Sequence, residues 1–277
     1  MAICMIFGAG ERVPRDRIGR TGRDALTNTV WKQGQHPEYD TEGIGRDAAD
    51  LVVAADGGMD WIREELPSLR VDIFIGDMDS LSENVGSGET TPDNAGFREA
   101  MWKNASFGET YAVPRQNENG TAVIKLPVEK DDTDMGAAVK IGLERGYKTF
   151  YLYGGTGGRW DHTIANLQLL KHIALCGGTG FLIGPRLTAT VVHADGAGRT
   201  IIIQGNSVGR PFSLFAMGTA EGVTIRGAKY ETDEVTLTDD HALGVSNETT
   251  EKCTAVSLRK GTLLVVGEYL PCDILFS

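Results

Sequence analysis

The chain has 277 residues, enough for one large domain or two of ordinary size, and 41% of them are hydrophobic, so a sizeable core can form. Its formal net charge of −11 argues against nucleic acid or an anionic membrane surface as a general partner. Any polyphosphate ligand would need metal ions or local basic groups to offset that field. Cys4, Cys176, Cys253 and Cys272 form no CxxC pair and read as buried, reduced thiols. The apolar run 2–7 lacks a basic flank and is too short for a membrane span, so a cytoplasmic location is expected.

In chain order, Ile3–Phe7 reads as a buried strand ended by Gly8-Ala9-Gly10, only a fragment of a dinucleotide fingerprint. Residues 11–47 are polar and arginine-rich and read as an insertion or mobile excursion. A second strand, Leu51–Ala55, runs into Asp56-Gly57-Gly58 and a helix at about 59–66, closed by Pro67. An acid and two glycines between strand and helix let backbone N–H groups approach a ligand closely.

The stretch 71–81, VDIFIGDMDSL, is an apolar strand followed at once by Asp77 and Asp79. Two carboxylates one residue apart at a buried strand end repel each other unless a cation lies between them. Such hard oxygen donors suit Mg²⁺ together with substrate phosphates. Residues 82–120 read as a second excursion, with a helix near 97–102. A short strand at 122–126 then leads to Asp131-Asp132-Thr133-Asp134 and a helix with Asp131 or Thr133 as its N-cap. Three acids in four residues exceed what capping requires.

Thr149–Tyr153 is the next strand, and four of residues 154–158 are glycine, before Arg159-Trp160-Asp161-His162 and a helix at 163–175. Such a loop can wrap phosphate with its N–H groups while Arg159 adds a planar fork, although no GKS/T ending makes it a Walker A loop. His162 alone reads as a residue satisfied at a helix start. Repeated strand, ligand-rich loop and helix give a parallel sheet, whose strand ends bring Asp56, Asp77, Asp79, Asp131, Asp134, Arg159 and Asp161 to one edge. After a strand at 181–183 the pattern changes to short β segments at 188–193, 199–203, 211–215, 221–226, 254–258 and 262–266, an antiparallel sandwich or barrel.

ADGG at 55–58, IGDMDS at 75–80, KDDTD at 130–134, GGRWDHTIAN at 157–166 and SNE at 246–248 occur in an order that resembles the thiamine pyrophosphokinases. The blocks span nearly the whole chain; GAKYET at 227–232 departs from the family's common GLKYPL. The resemblance implies an α/β fold class, with a mostly parallel, Rossmann-like α/β domain at 1–186 and an antiparallel β-sandwich at 187–277. It implies pyrophosphate transfer from ATP to thiamine with Mg²⁺, in a homodimer whose active site lies at the subunit interface. By that likeness Asp77, Asp79 and Asp134 would hold the metal. Asp56, Gly57, Gly58, Gly157, Gly158, His162 and Asn166 would surround the nucleotide, with Arg159, Asp161 and Asp134 carrying catalysis and either Asp134 or Asp161 taking the hydroxyl proton. Ser246 and Asn247 would bind thiamine. The alternatives are a diphosphokinase for another hydroxymethyl heterocycle, such as a pterin, and a nucleotide-sensing module without catalysis.

Overall fold

The computed structural model describes residues 2–19, 49–76, 121–126, 132–205 and 208–277. The strands β1 (Ile3–Phe7), β2 (Leu51–Ala55), β3 (Ile73–Gly76), β4 (Ala122–Lys125), β5 (Thr149–Tyr153) and β6 (Thr179–Ile183) pair in parallel, in the order β4-β3-β2-β1-β5-β6. Their sequences are nearly continuous apolar runs because both faces are covered. In β1 the side chains of Ile3, Met5 and Phe7 enter one core, and Cys4 and Ile6 enter the other.

Four helices are described: α1 (Arg15–Gly19), α2 (Gly58–Glu65), α3 (Asp134–Glu144) and α4 (Trp160–Leu175). Met59, Trp61 and Ile62 of α2 cover the first face. The second is covered by Ala137, Ala138, Val139 and Ile141 of α3 and by Leu170 and Ile173 of α4. Thr133 is the N-cap of α3: its hydroxyl accepts the Gly136 N–H at 3.0 Å, an interaction worth about 1 kcal/mol. Phe7 and Tyr153 end β1 and β5 and stack at 4.9 Å, while Trp61 of α2 meets Phe7 edge-on at 5.3 Å. Each such pair contributes roughly 0.5–1.5 kcal/mol beyond area burial and fixes the two strand ends against each other.

The β-rich half differs from the expected six short segments. They are halves of three long antiparallel strands, β7 (Thr188–Gln204), β8 (Pro211–Arg226) and β11 (Cys253–Gly267), joined by β9 (Thr232–Thr238), β10 (Asn247–Glu248) and β12 (Ile274–Phe276). Positive-φ glycines (Gly196, Gly198, Gly218 and Gly261) fall in the breaks, where the register shifts. There the inward-facing parity flips, so Val192 and Ala194 share a core with Ile201 and Ile203. At Gly261 (φ 107°) a Cβ would stand 2.0 Å from the Thr219 carbonyl oxygen, so only glycine fits.

β7 also pairs antiparallel with β6, so one mixed sheet runs unbroken from β4 to β10, and the expected boundary at 186/187 falls in the β6–β7 turn. The start of the first excursion is likewise packed. Val13 and Ile18 are buried, and Arg12 pairs with Glu64 and Glu65 at 2.7 Å each. Arg17 donates to the Thr188 hydroxyl at 2.9 Å and the Tyr269 carbonyl at 3.4 Å, so α1 braces both halves. Of the cysteines only Cys4 is buried; Cys176 and Cys253 are exposed, Cys272 is partly so, and all four are free thiols. The expected helix near 97–102 lies outside the described residues.

Candidate active site

The parallel strands place all their carboxyl ends at one edge, and the strand order reverses between β1 and β5, where doubly wound sheets bind ligands. Here the loops after those strands are zipped together. Gly8 donates to the Tyr153 carbonyl at 2.8 Å, Gly10 to Gly154 at 2.8 Å and Glu11 to Thr156 at 2.7 Å. The terminal methyl of Met135, in the first turn of α3, lies where a side chain on Gly8 would go, so the N-terminus of α3 meets the same crevice.

Asp56, after β2, has φ 50°, a left-handed conformation uncommon for a non-glycine residue and enriched at functional sites. Its N–H donates to the Ile75 carbonyl at 2.8 Å, and Met59 N–H donates to its carbonyl at 3.2 Å, so the Asp56-Gly57-Gly58 turn is fixed beside β3. Asp134 opens α3 at this edge, while neighbouring Asp132 is engaged by Lys140. Asp77, Asp79 and Asp131 lie outside the described residues, so their convergence with Asp134 stays an expectation. Among the described residues no three acidic, histidine or cysteine side chains group to hold a metal.

The glycine loop leads into α4, a helix of 16 residues whose N-terminal N–H groups and dipole favour an anion. Asn166 is buried, and its amide donates to the Gly155 carbonyl at 2.9 Å, so this residue shapes the loop. Arg159 grips Asp161 with two hydrogen bonds, Nε at 3.2 Å and one terminal nitrogen at 2.6 Å. Those bonds pull the Asp161 carboxyl down to about 2. Both side chains are exposed, as are Gly157, Gly158 and His162. Trp160 is 82% exposed in the same turn.

Ser246 and Asn247 do not join this crevice. One register row links Tyr153, Ile183, Thr188, Gly267, Phe212 and Asn247 across adjacent strands. Asn247 is thus at the same edge, but five strand spacings from β5, about 24 Å along the sheet. Its side chain is buried and engaged by backbone: it accepts from Tyr230 N–H at 3.0 Å and Glu248 N–H at 2.8 Å, and donates to the Tyr230 carbonyl at 2.8 Å. Ser246 is exposed, at φ 63°, with its N–H on the Ser213 hydroxyl at 3.1 Å. Beside them Val223, Ile225, Val235, Leu237 and Leu243 line a cavity of about 70 Å³.

Sequence reasoning missed Glu11, which follows a strand-end loop of the same kind as the others, because residues 11–47 read as one excursion. It also missed that Asn247 serves the loop around Tyr230. That contact spans 17 positions and leaves no local trace.

Residues 46–175 match the thiamin pyrophosphokinase catalytic domain, and residues 199–263 match the thiamin pyrophosphokinase vitamin B1 binding domain. Among solved structures, the thiamine pyrophosphokinase of Bacillus subtilis aligns with TM-score 0.63 and 20% identity, covering 97% of this chain and 99% of its own. The thiamin pyrophosphokinase of Geobacillus thermodenitrificans gives TM-score 0.63 and 20% identity, covering 99% and 100%. The yeast enzyme gives TM-score 0.61 and 16% identity, covering 97% and 86%. No curated protein sequence matches the chain. Among the described residues no helix is long and apolar enough to cross a membrane.

Proposed function

The chain belongs to the thiamin pyrophosphokinase family, its two domains matched in order, and from that premise we propose how its residues move pyrophosphate from ATP to the thiamine hydroxyl. The chain binds ATP and thiamine; the oxygen of the thiamine hydroxyl attacks the β-phosphorus, one P–O bond forms, another breaks, and AMP leaves. Such a transfer is mainly positioning and charge neutralisation. In our reading the glycine loop and the N-terminus of α4 receive the phosphates, with Gly157 and Gly158 close to them and Asn166 holding the loop open. Arg159 meets the charge that builds on the transferred group, pre-oriented by Asp161. His162 and Asp56 flank the nucleotide, with Gly57 and Gly58 leaving room for it.

An efficient base has a pKa near the working pH. The Arg159 clamp draws the Asp161 carboxyl further from that range, and either Asp134 or Asp161 takes the hydroxyl proton. Mg²⁺ would be held by Asp77, Asp79 and Asp134. The donor set fits, being hard carboxylate oxygens, and Asp134 is at the crevice edge. When bound, the ion supplies positive charge to the phosphate oxygens.

We assign residues 1–186 to nucleotide and metal, and 187–277 to thiamine, with Ser246 as a thiamine contact and Asn247 as its support. β10 lies five strands from β5, roughly 24 Å measured along the sheet. That separation favours a homodimer in which each site takes its β-rich half from the partner. Four free thiols suit the cytoplasm.

The observation that carries the reading is the co-occurrence of both family domains with a glycine loop, Arg159 and Asp134 at one sheet edge. The test is AMP release from ATP and Mg²⁺ with thiamine or with a hydroxymethylpterin as acceptor. Thiamine-dependent AMP with an equal amount of thiamine diphosphate is expected. AMP release that follows the pterin instead would refute the reading.

A further inference from the structure

The loop after β1 brings a carboxylate to the nucleotide crevice that phosphate transfer does not employ. Glu11 is fixed there by its N–H bond to the Thr156 carbonyl at 2.7 Å. Its side chain lies across Gly157 (φ 85°): a Cβ on that glycine would stand 2.6 Å from the Glu11 Cβ and 3.1 Å from Oε2. The side chain is exposed, and among the described residues no cation or hydrogen-bond donor engages its carboxylate. The adjacent cation, Arg12, is turned away to Glu64 and Glu65.

A carboxylate in a phosphate crevice repels the ligand's charge, so its place there calls for a partner on the ligand that donates. The vicinal ribose hydroxyls of a nucleoside triphosphate are such donors. They are neutral, carried on the ring that is linked to the α-phosphate through C5′, and spaced so that two O–H groups can meet the two oxygens of one carboxylate. In doubly wound dinucleotide sites an acid about 20 residues past the first glycine turn takes the ribose hydroxyl while the phosphates sit on a helix N-terminus; Glu11 would reach the ribose from the β1 loop instead. We propose that Glu11 is the sugar-specificity residue of this site, accepting hydrogen bonds from the ribose and selecting ribonucleotides over deoxyribonucleotides. The inference rests on the nucleotide reading of the crevice given above.

The experiment is equilibrium binding of ATP, 2′-deoxy-ATP and 3′-deoxy-ATP to the full chain with Mg²⁺ and no thiamine, by titration calorimetry. Wild type should bind ATP roughly ten- to a hundredfold more tightly than 2′-deoxy-ATP, the range of one hydrogen bond to a charged group. Glu11→Ala should bring that ratio to within about threefold of unity by weakening ATP, and Glu11→Gln, which keeps an acceptor oxygen, should retain part of it. Circular dichroism should be unchanged, since the side chain is exposed.

Equal binding of the three nucleotides by wild type overturns the proposal, as does a preference that survives in Glu11→Ala. So does a Glu11→Ala effect confined to the Mg²⁺ requirement, which would make the residue a cation ligand. Binding needs no transfer, so a protein that prefers ATP but makes no thiamine diphosphate would refute the activity and leave this proposal standing.

Discussion

At the scale of single residues, Arg159 and Asp161 show how one pair divides its roles. The guanidinium pulls the Asp161 carboxyl down to about 2, so the pair stays charged throughout the neutral range. A depressed carboxyl adds its stabilisation above its unfolded value and loses it as the pH falls through the folded one. This pair should therefore be intact at pH 5 and open only in strong acid. Both side chains are exposed, so its weight is in orientation rather than stability. Arg159→Ala should lower kcat roughly 10²-fold, as expected when a donor to developing charge is lost. In the same variant, the Asp161 carboxyl followed by NMR should titrate near the ordinary value of about 3.9. A kcat that barely moves while KM for thiamine rises would take Arg159 off the reacting phosphates.

At the scale of elements, the parallel half was legible because its strands are short apolar runs, and those at Leu51–Ala55 and Thr149–Tyr153 end at a glycine or acid and lead into helices α2 and α4. Leu51–Ala55 and Thr149–Tyr153 appear at their expected bounds. The β-rich half was cut in the wrong places because glycines with positive φ look like turns to a local pattern, whereas here they bend strands whose hydrogen bonding continues. Gly261 is the sharpest case. Gly261→Ala should destabilise the fold by at least about 2 kcal/mol, from the left-handed backbone and the collision with the Thr219 carbonyl, read as a lower urea midpoint. An unchanged midpoint would mean that the corner can open without cost. The packing of α1 was hidden for another reason: Arg17 is anchored by Thr188 and Tyr269, partners no local window can see. Of the site, the blocks that carry Asp56, Arg159 and Asp161 were legible as chemistry, while the engagement of Asn166 and Asn247 by backbone groups was not.

At the scale of the whole molecule, the decisive fact is the register row from Tyr153 to Asn247. It puts the glycine-loop crevice and the Ser246 region at one edge of a continuous sheet, five strands apart. A two-fold dimer presents the same patch from both subunits, so it would complete two sites at once.

The measurement that tests this directly mixes two inactive variants of the full chain. One carries Asp79→Asn, which removes a proposed metal ligand. The other carries Ser246→Trp, which blocks the thiamine side at an exposed position and leaves the buried Asn247 intact. At equal mixing about half the dimers are hetero-dimers with one intact site of two, so activity should return to roughly a quarter of wild type. No recovery after proven subunit exchange would contradict the account, because each chain would then build its complete site alone.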